Sequence, residues 1–216
     1  MSNDRLLKES VLAQLSWEPT VNAAHIGVTA HDGVVTLSGQ VDTYAEKYAA
    51  QSAALRVSGV KGLAEEIQVK LLFGMKRNDE EIAKAALEHL SWDVTLPKDA
   101  IKVQVQNGHV TLTGQVDWHH QQDTAEKDIR NMWGIVDISN ETTIKPVVNT
   151  ANISDAIKVA LGRSWFFNPK TVDVSADGGR VQLNGNVSSW HDRQIATDMA
   201  WFAPGVTAVE NDLVVI

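Results

Sequence analysis

Slid along itself, the sequence finds its own copy twice. The stretch Gly33-Val34-Val35-Thr36-Leu37-Ser38-Gly39-Gln40-Val41 recurs 75 residues on as Gly108-His109-Val110-Thr111-Leu112-Thr113-Gly114-Gln115-Val116. It recurs 71 residues further as Gly179-Arg180-Val181-Gln182-Leu183-Asn184-Gly185-Asn186-Val187. A second anchor, Gly59-Val60, Gly134-Ile135 and Gly205-Val206, repeats at the same two offsets. Two anchors in one register make this a tandem array, and a fixed period sets the architecture before any single residue is interpreted. A third anchor, Ser16-Trp17, Ser91-Trp92 and Ser164-Trp165, returns after 75 and then 73 residues, so the loop after Trp165 is shorter by two. The units run over 1–72, 77–146 and 150–216.

Inside each unit the hydrophobic period changes in a fixed order. Leu6, Leu7, Val11, Leu12 and Leu15 recur at three and four residues, as do Ile82, Ala85, Ala86, Leu87 and Leu90, and more loosely Ile157, Val159, Ala160 and Leu161. That spacing predicts a first helix. Alternation follows: Ile26, Val28, Ala30 and then Val35, Leu37, Gly39, Val41, with matching series around Asn107-Gly108 and Asp177-Gly178-Gly179. Asp-Gly or Asn-Gly between alternating runs predicts a hairpin, because its turn needs positive φ. Gly33, Gly108 and Gly179 are therefore turn glycines, not phosphate cradles. Gly39, Gly114 and Gly185 lie within strands, where packing of a helix is the expected reason for a missing side chain.

A second helix follows, capped by Thr43 with Glu46, by Asp117, and by Ser189 with Asp192. It ends near Gly59, Gly134 or Gly205. A last strand carries Leu63, Ile67, Val69; Ile138, Thr142, Ile144; or Val209, Leu213, Val215. The expected fold is α+β: three tandem α-β-β-α-β units, each a three-stranded mixed sheet with two helices on one face. The linkers carry Leu72, Phe73, Val147 and Val148, and Phe166-Phe167 adds apolar surface, so the units are expected to pack against each other.

These residues carry a family likeness. A strand Val-x-Leu-x-Gly-x-Val, a helix, and then Gly205-Val206-Thr207-Ala208-Val209-Glu210-Asn211-Asp212-Leu213-Val214-Val215 resemble the BON domain, named for bacterial osmotically inducible and nodulation proteins. In the other units Glu65 and Asn140 hold the place of Asn211, and Thr142 replaces an apolar residue. The resemblance covers nearly the whole chain, three times, on structural glycines and apolar positions, which specify fold more than function. It implies non-enzymatic modules, mostly of bacterial envelopes, linked to osmotic or envelope stress and to phospholipid surfaces. A cytoplasmic relative joins one such domain to a LysM module and senses potassium ions.

Composition narrows the function classes. The net charge of −8 arises from 27 acids against 19 bases, and the thirds 1–71, 72–147 and 148–216 carry −2, −4 and −2, so no segment is basic. A phosphate-neutralising surface for nucleic acid is not expected. No apolar run approaches the ~18 residues of a membrane helix, so an integral membrane protein is not expected either. The start Met1-Ser2-Asn3-Asp4-Arg5-Leu6-Leu7-Lys8-Glu9 shows no secretory pattern, and a cytoplasmic address is expected although the family is mostly periplasmic. The absence of cysteine removes disulfides and thiolate chemistry.

Seven histidines invite a metal, yet the adjacent His119 and His120 point about 100° apart and need a ligand from elsewhere, so surface histidines are expected. Ser16, Ser91 and Ser164 lack a nucleophile elbow. The acids Glu65-Glu66, Asp79-Glu80-Glu81, Glu210 and Asp212 lie close in sequence, without the converging pair that acid catalysis uses. No catalytic residue and no cofactor are expected. A potassium or calcium site built from carbonyls would leave no side-chain signature.

The tryptophans divide. Trp17, Trp92 and Trp165 recur in register and are expected to cover the edge of each small core. Trp133 and Trp201 are expected in the second helices as core or inter-unit contacts. Trp118 and Trp190, beside His119, His120 and His191, are the candidate interaction surface: a contact for a neighbouring unit, another subunit or a lipid interface, or simple packing. The expected protein is a non-catalytic, stress-associated binding module for a monovalent cation such as potassium or a phospholipid surface. The alternative is a scaffold or homo-oligomerising module with no small ligand.

Overall fold

A computed structural model describes residues 3–145, 157, 159, 172–177, 179–203 and 205–216. The first unit runs α1 (Asn3–Trp17), β1 (Ile26–His31), β2 (Val34–Val41), α2 (Tyr44–Leu55) and β3 (Gly62–Val69). The second repeats it as α3 (Asp79–Trp92), β4 (Ile101–Gln106), β5 (His109–Val116), α4 (His119–Arg130) and β6 (Asp137–Ile144). In the third, β7 (Val172–Asp177), β8 (Arg180–Val187), α5 (Trp190–Trp201) and β9 (Ala208–Val215) follow the same order, and Ile157, ahead of them, is helical and fully buried. The fold is α+β, in three repeated units.

Each unit holds its own three-stranded sheet, with strand orders β1-β2-β3, β4-β5-β6 and β7-β8-β9. The hairpin pair is antiparallel (Val28 opposite Leu37) and the last strand lies parallel to the middle one (Leu37 opposite Glu65). A parallel return needs a crossover, and the second helix supplies it. The hairpins turn on Asp32-Gly33 (φ 50° and 83°) and Asn107-Gly108 (φ 52° and 78°), the left-handed pair that a two-residue turn demands.

Gly39 and Gly114 have a different cause from the one expected. They sit at φ 134° and 135°, and Gly185 sits at 130°. A Cβ on Gly39 would overlap the His25 carbonyl, and one on Gly114 the Ala100 carbonyl. The chain entering the first strand, not a helix, occupies the place of a side chain. Gly59, Gly134 and Gly205 also have positive φ, but the first of them lies beyond the end of α2 at Leu55, in the turn that leads to β3.

The first helices lay Leu7, Val11 and Leu15, or Ile82, Ala86 and Leu90, on the sheet. Four-residue spacing keeps each trio on one stripe, and burial of such side chains contributes roughly 1.5–3 kcal/mol apiece. The first two hairpins are also tied to the helix before them. Asn107 N–H and Gly108 N–H donate to Asp79 Oδ2 and Oδ1 at 2.7 and 2.9 Å, whereas in the first unit only Gly33 N–H reaches Asp4 Oδ1, at 3.4 Å.

The second helix is clasped to the last strand at one repeated pair of positions. Lys47 Nζ meets Glu65 Oε2 at 2.9 Å. Asn140 Nδ2 donates to the Gln122 carbonyl at 2.8 Å, and Gln122 Nε2 donates to the Thr142 carbonyl. Asn211 Nδ2 donates to the Arg193 carbonyl at 3.1 Å, while Arg193 donates to the Leu213 and Asn211 carbonyls. Three chemistries thus perform one structural task.

Candidate functional site

Tyr44, His119 and Trp190 are the first residues of α2, α4 and α5, and they stand 75 and 71 residues apart, the offsets of the glycine anchors. Each contacts a unit other than its own. Tyr44 is 9% exposed and belongs to the core of the second unit, with Ile82, Ala86 and Ile129. Burial pushes its phenol above the ordinary tyrosine range, and Glu126 and Asp137 of the second unit add to the effect. One turn on, the Arg130 guanidinium lies 3.4 Å from the centroid of the Tyr48 ring, and Lys47 Nζ is 3.8 Å from Asp137.

His119 stacks on Trp201 of the third unit, with ring centroids 4.1 Å apart and planes 20° from parallel. Its Nδ1 lies 3.0 Å from Gln122 Oε1 and its Nε2 3.6 Å from Asp123 Oδ2. Trp190 packs against the core of the first unit, with the Arg193 guanidinium 4.7 Å from its ring centroid. The first unit therefore joins the second, the second the third and the third the first: the three units close into a ring. Arg130 and Trp201 are themselves equivalent, the last residues of α4 and α5, so the first two joints set the start of one second helix against the end of the next.

The candidate surface is split by this geometry. His119 and Trp190 lie in joints, while Trp118 is 46% exposed and His120 and His191 are exposed. Asp117 does not cap α4. Gln121 does: its Oε1 accepts from Asp117 N–H and Trp118 N–H at 2.8 and 3.1 Å, and its Nε2 donates to the Thr95 carbonyl. Asp117 instead pairs with Lys145 at 3.0 Å. Sequence reasoning missed Tyr44, Tyr48 and Arg130, whereas Trp201 makes the inter-unit contact expected of it. The repeat offset was the available signal, because subtracting 75 from His119 lands on Tyr44, whereas pairing Trp118 with Trp190 follows residue type out of register.

Two expectations about tryptophan are overturned. Trp17 and Trp92 are 82% and 69% exposed. They fall two residues past Leu15 and Leu90, about 200° around the helix from the buried stripe, so recurrence in register did not mean burial. Trp165 lies outside the described residues, as do Phe166 and Phe167. Trp133 is beyond the end of α4 and 54% exposed, with Arg77 5.7 Å from its ring centroid.

Among the described residues one group has metal-ligand spacing. Asp4, His31 and Asp32 bring their ligating atoms within 4.8 Å of one another, with His31 and Asp32 exposed; His119 and His120 take no part. Most of the clustered acids have structural partners: Glu81 completes a capping box with Asn78, Glu210 pairs with Arg180, and Asp212 accepts from Gln182. One acid pair was not anticipated. Thr95 donates its hydroxyl and its N–H to Asp93 at 2.6 and 2.7 Å and holds that carboxyl below the ordinary range. Burial, then the nearby Asp93 charge, raises Asp128.

The family profile described as the BON domain matches residues 3–70, 78–146 and 149–216. The chain belongs to the BON domain family, as three tandem copies. It is similar to the osmotically-inducible protein Y of Escherichia coli (strain K12), 26% identical over 148 residues that cover 66% of this chain and 73% of that one. It is also similar to a 21 kDa hemolysin of Actinobacillus pleuropneumoniae, 30% identical over 136 residues, 62% of this chain and 70% of that one. A comparison of structures matches the C-terminal domain of CdsD, a structural protein of the type III secretion system of Chlamydia trachomatis. That match has 17% identity, covers 97% of each chain and has a TM-score of 0.27. No helix among the described residues is long and apolar enough to cross a membrane.

Proposed function

We propose that this chain is a non-catalytic, stress-associated binding protein whose ligand is a phospholipid surface, met from outside the ring by exposed tryptophans. The stress association follows the name of the Escherichia coli relative. One observation carries the choice of ligand: Trp17 and Trp92 stand in register at the ends of α1 and α3 with most of their surface in water. An indole in that state gains by moving to the boundary between headgroup and acyl chain, where its apolar body and its N–H are both accommodated. The net charge of −8 opposes attraction to anionic lipid, so the contact is interfacial and apolar in origin. The cytoplasmic address belongs to the same proposal, and fractionation of cells expressing the full chain tests it.

The test is co-sedimentation with phosphatidylcholine vesicles. Trp17→Ala with Trp92→Ala removes no core residue, so the double variant stays folded and loses vesicle binding about tenfold or more. Binding unchanged in that variant would defeat the proposal. A rise in thermal stability confined to potassium salts would replace lipid by a cation, and no response to either would leave a scaffold.

A further inference from the structure

The three joints use the same repeat positions with different chemistry. At the third joint these are Trp190, Arg193 and Lys61. By register the first two correspond to Tyr44 and Lys47 and to His119 and Gln122, and Lys61 corresponds to Val136 and Thr207. At the first joint the cation at these positions, Lys47, is answered by Glu65 and Asp137, and the second joint has no cation at them. The third brings two cations to one cavity. Lys61 of the first unit lines it with Trp190, Arg193, Leu213, Val214 and Val215 of the third, around about 340 Å³.

Among the described residues six cations, Arg5, Lys47, Arg56, Arg130, Lys145 and Arg180, have carboxylate partners, and neither Lys61 nor Arg193 is one of them. Arg193 donates through Nε and Nη2 to carbonyls of β9, which leaves three of its five guanidinium hydrogens uncommitted. The Trp190 indole Nε1 is buried and has no acceptor. Two cations from different units and a buried indole N–H without an acceptor thus line the joint that closes the ring.

We propose that this joint is an oxyanion site that takes a phosphate group between Lys61 and Arg193 and so fastens the third unit onto the first. A tetrahedral oxyanion offers several acceptor oxygens to donors arriving from different directions and cancels the repulsion between the two cations. The phosphate is free in solution or belongs to a lipid headgroup, and the chemistry at the joint is the same. The site is independent of Trp17 and Trp92, so vesicle binding through those residues and phosphate uptake at the joint stand or fall separately.

Thermal unfolding of the full chain in inorganic phosphate, against chloride at equal ionic strength, tests the site. Phosphate at about tenfold its dissociation constant raises Tm by about 3–5 °C by mass action. Lys61→Gln keeps the aliphatic stem but removes the charge; it unfolds close to wild type in chloride and loses most of the phosphate response. Lys84→Gln, on α3 and outside the cavity, keeps it. A wild-type protein without a phosphate-specific rise overturns the proposal, and so does a Lys61→Gln protein that rises as much as wild type. For a positive result, vesicles containing phosphatidate decide the source: inorganic phosphate displaces a headgroup from this site, and leaves vesicle binding untouched when the ligand is free phosphate.

Discussion

At Gly114 a single hydrogen atom keeps two backbone segments apart. Alanine there meets both the Ala100 carbonyl and a φ of 135°, so Gly114→Ala is expected to destabilise the chain by about 3 kcal/mol, read as a lower urea midpoint with an unchanged slope. The Asp93 and Asp128 carboxyls set a different expectation. The raised Asp128 favours the fold while it is protonated: its contribution is present below the ordinary aspartate pKa of about 3.9 and is lost as pH rises through its higher folded value. Asp128→Asn should therefore raise Tm at pH 7 and leave it little changed at pH 4. A variant less stable than wild type at pH 7 would contradict the assignment. The residue is also the scale at which the sequence misled. Trp17 and Trp92 recur faithfully and yet face water, because a repeat preserves the position of a side chain in the unit and says nothing by itself about which way a helix presents it.

The elements were legible because each has its own period. Four-residue stripes, alternating strands and Asp-Gly or Asn-Gly turns are local signals, and among the described residues the structure places all three kinds where those signals fall. The clasp between second helix and last strand was only half legible. Asn140 and Asn211 stood out as members of a family pattern, but their partners at Gln122 and Arg193 lie 18 residues away, a separation that only the folded crossover brings together. Removing the clasp has a measurable cost. Asn140→Ala deletes a donor to the Gln122 carbonyl and an acceptor for Thr142 N–H and Oγ1, and is expected to lower stability by about 2 kcal/mol. Asn140→Asp keeps the acceptor and loses the donor, so it should fall between. Asp79→Ala, which frees the two turn N–H groups at Asn107 and Gly108, is expected to cost about 1–2 kcal/mol in chemical denaturation, and its counterpart Asp4→Ala, with one long bond, clearly less.

At the level of the whole molecule the repeat determined what the units are and left open how they meet. The joints depend on one position occupied by Tyr44, His119 and Trp190, three aromatic rings without a common residue identity, and no period in the sequence marks that they point outward from their own unit. Their arrangement predicts cooperativity. With the ring closed, loss of any unit exposes the joint surfaces of both neighbours, so heat should unfold the chain in one transition. Trp190→Ala withdraws the indole from the first unit's core and opens the ring at one place. It is expected to cost about 2–3 kcal/mol and to split a lower-temperature transition from the main one in calorimetry. A single unshifted transition in that variant would show that the third unit does not lean on the first.

Asn3 and Asp4 line the same cleft as Ile216, which gives the covalent chain an unexpected freedom. The start of α1 and the end of β9 are neighbours, so the three units follow a loop whose order of connection can be changed. A permuted gene that begins at Asn78, runs through Ile216 and returns by a short glycine-serine bridge to Asn3 should yield the same three joints and a comparable melting temperature. By the same geometry a protein made of one unit alone could pair with two more of its kind through these surfaces, and the present molecule reads as such a trimer written along one strand.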